Sequence, residues 1–205
     1  MMGSVFMFIG FYNKSIILTF IGLFCSVFGM KFSIDGNYSV SLVFLLLSGI
    51  CDTFDGTIAN LVKRDEEEKK YGVELDSLVD LICFGVFPII ISIGLGYNSI
   101  FNMIVYCIFI FCGVTRLAFF NIDQENKKCF KGLPITMSSF ILPIITLIST
   151  SEIVIMLTLL VLSFLFLFNF KIPKSDLKLK FLYLVIGVGI IGLVILKLFL
   201  MGVGI

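Results

Sequence analysis

Four aspartates stand in two pairs, Asp52/Asp55 and Asp76/Asp80, within a chain that is otherwise mostly hydrocarbon. Spacings of three and four residues put the members of each pair on one face of a helix. The stretch between the pairs, Lys63 to Lys70, is densely charged and reads as a hydrated hairpin. Two helices therefore descend to a polar turn and set four carboxylates against one another near the end of an apolar segment. Burying a carboxylate unpaired costs several kcal/mol, so an ionisable group in such a setting is a functional candidate by default. Four that converge repel one another unless a cation sits between them. Oxygen-only ligands suit Mg²⁺, Mn²⁺ or Ca²⁺ rather than zinc or copper. The chain contains no histidine, so acid–base chemistry must rest on carboxylate, Lys, Tyr or Cys.

The elements that carry these groups are membrane helices. Hydrophobic residues make up 59% of the 205 residues and the mean hydropathy is +1.14, above what a soluble domain carries. Apolar stretches of spanning length recur. The expectation is an all-α, polytopic transmembrane bundle forming one domain over 1–205, with a core at about 15–143 and further spans at 151–201. Spans are read at 15–32, 38–62, 71–95, 99–120, 135–148, about 152–170 and 181–201, six to seven in all, the fifth interrupted by Pro143. Met1 to Phe11 reads as an interfacial helix. Turns are expected at Asp35-Gly36-Asn37 and Gly96-Tyr97-Asn98, and Asp65–Glu68 reads as the solvated tip of the hairpin.

Charge distribution sets the orientation. With a cytoplasmic N-terminus, most of the 15 Lys and Arg fall on cytoplasmic segments; Lys31 and Lys197 fall outside, and Arg116 lies within the fourth span. By the positive-inside rule the aspartates then face the cytoplasm, as in a protein of the inner membrane. Lys127, Lys128 and Lys131 read as loop charges near lipid headgroups. The net charge of +1 is uninformative as a total, and no nucleic-acid partner is expected. The six cysteines form no CxxC pair and read as free thiols packed as small hydrophobes.

The pattern Asp52-x-x-Asp55-Gly56-x-x-Ala59, then Gly72-x-x-x-Asp76-x-x-x-Asp80, resembles the signature of the CDP-alcohol phosphotransferases. The resemblance implies two divalent ions, Mg²⁺ or Mn²⁺, held by Asp52, Asp55, Asp76 and Asp80 against the diphosphate of a CDP-linked lipid. Asp80 would also take the proton of the acceptor hydroxyl. Gly56, Ala59, Asn60, Gly72 and, on the first span, Thr19 would meet the CDP-lipid. Such chemistry needs cations that neutralise developing charge and little covalent participation by protein.

Two departures stand out. The family usually has Arg where this chain has Asn60, and Leu61 to Tyr71 is longer than the usual spacing. Lys63 or Arg64, one turn on, is the expected replacement for the missing charge.

Further stretches are similar to the phosphatidylserine synthase branch. These are Glu74–Asp80 running into Phe84-Gly85-Val86-Phe87-Pro88, then Arg116–Asn121, then Phe130–Pro134. The resemblance spans about residues 15–143 and implies CDP-diacylglycerol and L-serine as substrates and a homodimer as the assembly. Arg116 and Asn121 would bind acceptor or phosphate. With Arg116 the single basic residue expected inside a span near the site, a small acceptor such as serine is favoured over glycerol 3-phosphate or inositol phosphate. A divalent-cation transporter is the reading from another class, and it requires carboxylates strung along a path. A non-catalytic relative is the third, suggested by Asn60.

Overall fold

The computed structural model describes residues 9–122, 129–173 and 177–200. The greater part of the segment read as an interfacial helix, and Lys127 and Lys128, lie outside these. A short 3₁₀ turn, Lys14–Ile16, leads into α1 (Ile17–Ile34), followed by α2 (Tyr38–Leu61) and α3 (Glu66–Asp80). From α3 the chain continues without a break through a π-helical segment, Leu81–Val86, into α4 (Phe87–Gly94). Helix α5 (Ile100–Ile122), strand β1 (Cys129–Lys131) and a 3₁₀ turn (Ile135–Met137) come next. Helices α6 (Ser138–Ile148) and α7 (Glu152–Leu167), strand β2 (Lys171–Pro173) and α8 (Leu177–Leu200) complete the described chain.

Among the described residues, five helical segments are long and apolar enough to cross a membrane: Lys14–Ile34, Tyr38–Leu61, Glu66–Gly94, Ile100–Ile122 and Lys180–Lys197. The apolar α6 and α7 are shorter. This is an integral membrane protein with a helical-bundle fold, and helices stand where all seven spans were expected. The turns also fall as read: Gly36 and Gly96 adopt φ of +83° and +95°, the left-handed region open to glycine.

The third span begins earlier than the charge run suggested. Asp65 accepts from the Glu68 backbone N–H at 2.7 Å, and Glu68 Oε2 accepts from the Asp65 N–H at 3.0 Å, a reciprocal capping box. Glu66, Glu67 and Glu68 sit in the first turn, where the helix dipole favours acid. The residues read as a hydrated tip thus extend α3 outward. The additional spacing after Asn60 is largely absorbed by that extension.

The bundle is close-packed through small residues. A Cβ on Gly29 would lie 2.2 Å from Phe87 Cζ, and one on Gly49 would lie 2.0 Å from Ser139 Oγ. Ser26 donates to Ser48 at 2.9 Å between α1 and α2, both buried. Such contacts let helix backbones approach where the hydrophobic effect offers little. Phe84, Phe87, Phe109 and Phe166 fill the interior, each under 2% exposed.

Two features tie the segment after Asp80 in place. Pro88 has no N–H for the carbonyl of Phe84, and Ser138 Oγ donates to that carbonyl at 3.0 Å instead. Where long polar loops were read around 121–132 and 171–180, β1 and β2 pair antiparallel, with Phe130 opposite Ile172. Gly132, at φ +73°, then turns the chain, its N–H donating to the Phe170 carbonyl.

Candidate active site

The last third of α2 and the lower half of α3 bring the aspartates together. One carboxylate oxygen each from Asp52, Asp76 and Asp80 lie within 4.8 Å of one another. A hard divalent ion bonds oxygen at about 2.0–2.6 Å, so two ligands on one ion stand up to about 4–5 Å apart. The three carboxylates therefore could hold a metal ion. Asp55 stands beside this group and is buried, accepting from Thr19 Oγ1 of α1 at 3.1 Å. Asp52 accepts from Thr136 Oγ1 at 2.9 Å. The carboxylates gather in one place rather than along a path, which removes the arrangement a transporter requires.

The π-helical turn starts at the residue after Asp80. Such a π-helical turn is rare and occurs frequently at functional sites. Here it lets Asp80 face the cluster while Cys83, Phe84 and Gly85 turn into the core.

A cavity of about 400 Å³ opens over the carboxylates. Asp52, Asp55, Asp76 and Asp80 line its floor, α2 contributes Thr53, Gly56 and Asn60, and α5 contributes Arg116. Gly56 faces open space: a Cβ there would meet nothing within 4 Å. Arg116 is only 7% exposed, so it is not a snorkelling residue. Its guanidinium lies 5.2 Å from the Phe120 ring centre.

Other residues singled out by sequence stand apart from the cavity wall. Thr19 lines a void of about 10 Å³ beneath the carboxylates. Ala59 and Gly72 do not line the cavity, and a Cβ on Gly72 would lie 3.3 Å from an Arg64 guanidinium nitrogen. Asn121 accepts from Ser77 Oγ at 2.9 Å, and Ser77 is itself in the wall. Lys63 and Arg64, the expected replacements for the missing arginine, do not line the cavity. Helix α2 ends at Leu61, and the extended backbone of Val62 carries the chain away.

A family model described as CDP-alcohol phosphatidyltransferase matches residues 12–168. The chain belongs to this family. The match takes in both aspartate pairs, Arg116 and Thr136, and stops before α8. The CDP-diacylglycerol–serine O-phosphatidyltransferase of Saccharomyces cerevisiae is 35% identical over 127 residues, 56% of this chain and 45% of the relative. The archaetidylserine synthase of Methanothermobacter thermautotrophicus is 37% identical over 117 residues, 54% and 49% respectively. A Helicobacter pylori protein with the same name as the yeast one is 30% identical over 130 residues, 62% and 54%. The chain spans about half the length of these curated relatives. The family generally uses divalent metal, and the carboxylate group at the cavity floor could hold such an ion.

Thr136, Lys180 and Tyr183 are among the site residues that escaped sequence reasoning. Thr136 has no periodic relation to Asp52, 84 positions away. Lys180 and Tyr183 of α8 line the cavity beyond the stretch that carries the resemblance. Lys180 also corrects the expectation that Arg116 is the single basic residue at the site.

Proposed function

We propose that the chain transfers the phosphatidyl group of CDP-diacylglycerol to the hydroxyl of L-serine, giving phosphatidylserine and CMP. The observation that carries this reading is the convergence of Asp52, Asp76 and Asp80 on the floor of a cavity that also contains Arg116. Relatives named for serine transfer support the acceptor.

Asp52, Asp76 and Asp80, joined by Asp55, would hold two Mg²⁺ or Mn²⁺ ions. When bound, these supply charge neutralisation at the phosphate oxygens. Thr136 and Thr19 orient Asp52 and Asp55 by donating to them, and each donation fixes which oxygen remains for the cavity. Arg116 presents a planar fork that pairs with the serine carboxylate. Asp80 takes the hydroxyl proton of serine. The serine oxygen forms a bond to the β-phosphorus as that phosphorus loses its bond to the CMP oxygen, and CMP leaves with the electron pair. Gly56 leaves room for the nucleotide. Burial of the floor keeps water from competing as acceptor.

The site faces the cytoplasm in this reading, since Lys14, Lys63, Arg64, Lys69, Lys70 and Lys131 lie on segments at that end by charge bias. The working assembly is a homodimer. The test is CMP release by the purified protein given CDP-diacylglycerol and Mn²⁺, with L-serine, glycerol 3-phosphate or inositol phosphate. Serine-dependent release is expected. Release that needs a phosphorylated acceptor would replace the acceptor while keeping the chemistry.

A further inference from the structure

Helix α8 brings a cation to the cavity from beyond the region that matches the family. Lys180 Nζ donates to Thr57 Oγ1 at 2.7 Å, across 123 positions of sequence. Thr57 follows Gly56 and precedes Asn60 by three residues, so all three sit around one end of α2. Lys180, Gly56 and Asn60 line the same cavity. The Lys180 ammonium has three N–H donors, and among the described residues Thr57 is its hydrogen-bond partner and no carboxylate stands within 4 Å. A half-buried ammonium held in this way costs desolvation free energy that an anion in the cavity offsets.

We propose that Lys180 binds a phosphate oxygen of the CDP-lipid diphosphate. The proposal rests on the donor substrate given above. Among the described residues two cations, Arg116 and Lys180, line the cavity, and their chemistry divides the ligands between them. Arg116, planar and bidentate, reaches the cavity from α5 and suits a carboxylate. Lys180 is a compact point charge with rotatable donors and suits the tetrahedral oxygens of phosphate. Its anchor on Thr57 holds it next to Gly56, where the cavity has room for a large group. The carboxylates cannot themselves touch phosphate oxygens, so oxygens turned away from the floor need donors from the walls. Lys180 supplies one on the α2–α8 side.

The test uses the full chain in detergent and reads two substrates separately. Lys180→Met should raise the KM for CDP-diacylglycerol by about tenfold or more, as expected for losing a charged hydrogen bond, while the KM for serine moves by less than about twofold. Lys180→Arg should hold the donor KM within about threefold of the native value. Asn60→Arg added to Lys180→Met returns a cation to the same wall and should recover part of the loss. A Lys180 that merely pins α8 to α2 predicts a lower unfolding temperature with no selective change in donor KM, and that result overturns the proposal. A rise in acceptor KM alone overturns it as well. If Lys180→Met does not fold, Lys180→Gln, which keeps a donor without the charge, takes its place.

Donor binding is also read without turnover, as the rise in unfolding temperature on adding CDP-diacylglycerol with Mn²⁺. A protein that binds this lipid without serine-dependent release loses the serine reading, and the Lys180 comparison still stands on binding. A protein that does not bind it loses both.

Discussion

Asp80→Asn separates the electrostatic role of the cluster from its chemical role. Asp80 is 8% exposed, and one of its oxygens lies within 4.8 Å of oxygens from Asp52 and Asp76. Two unit charges 4.8 Å apart repel by about 3.5 kcal/mol at an effective dielectric constant of about 20. Asparagine keeps the shape and removes both repulsions that Asp80 makes within the group. Without divalent ion the variant should therefore be the more stable protein, by about 1–3 kcal/mol after relaxation. With Mn²⁺ the order should shrink or reverse, because the native cluster gains more from the ion. Turnover should fall by about 10²–10⁴ from loss of the proton acceptor. The assay is thermal unfolding in detergent, in EDTA and in Mn²⁺, beside CMP release. A variant no more stable than the native protein in EDTA, with the same response to Mn²⁺, would falsify the picture of mutually repelling carboxylates that share a cation.

Other substitutions probe the supports. Thr136→Val removes the hydrogen bond that orients Asp52 and should weaken divalent binding by about 10–100-fold in a metal titration followed by unfolding temperature; an unchanged midpoint would show that Asp52 needs no such donor. Gly49→Ala places a methyl group 2.0 Å from Ser139 Oγ, so α2 and α6 must part or Ser139 must move. It should cost about 1–3 kcal/mol in stability and lower activity through displacement of Asp52, whereas native stability would mean that Ser139 yields freely. Arg116→Lys should raise the serine KM by about tenfold, because an ammonium cannot reproduce the two-pronged contact; if the donor KM rises instead, Arg116 belongs to the phosphate.

What the sequence made legible was local in origin. The pairing of Asp52 with Asp55 and of Asp76 with Asp80 follows from helical spacing, and the structure has each pair on its helix, with all four at one cavity. The turns at Gly36 and Gly96 were equally local. The early start of α3 was also written locally, in Asp65 and Glu68, but eight consecutive charged residues, Lys63–Lys70, outweighed the capping pattern when read as a loop. The β1–β2 ribbon carried too little signal, each strand being three residues of mixed character. Thr136 and Lys180 lay beyond local reading altogether. Each reaches the site from a segment distant in sequence, and nothing in its neighbourhood marks which helix it will meet.

The central claim is that this cavity joins serine to a phosphatidyl group. Purified protein supplied with CDP-diacylglycerol, Mn²⁺ and radiolabelled L-serine tests it most directly, with the organic-soluble product counted beside CMP. The account predicts label entering lipid in equal amount to CMP released, abolished by EDTA and reduced by about 10²–10⁴ in Asp80→Asn. CMP released with no label in lipid, or label entering lipid equally well in Asp80→Asn, would contradict it.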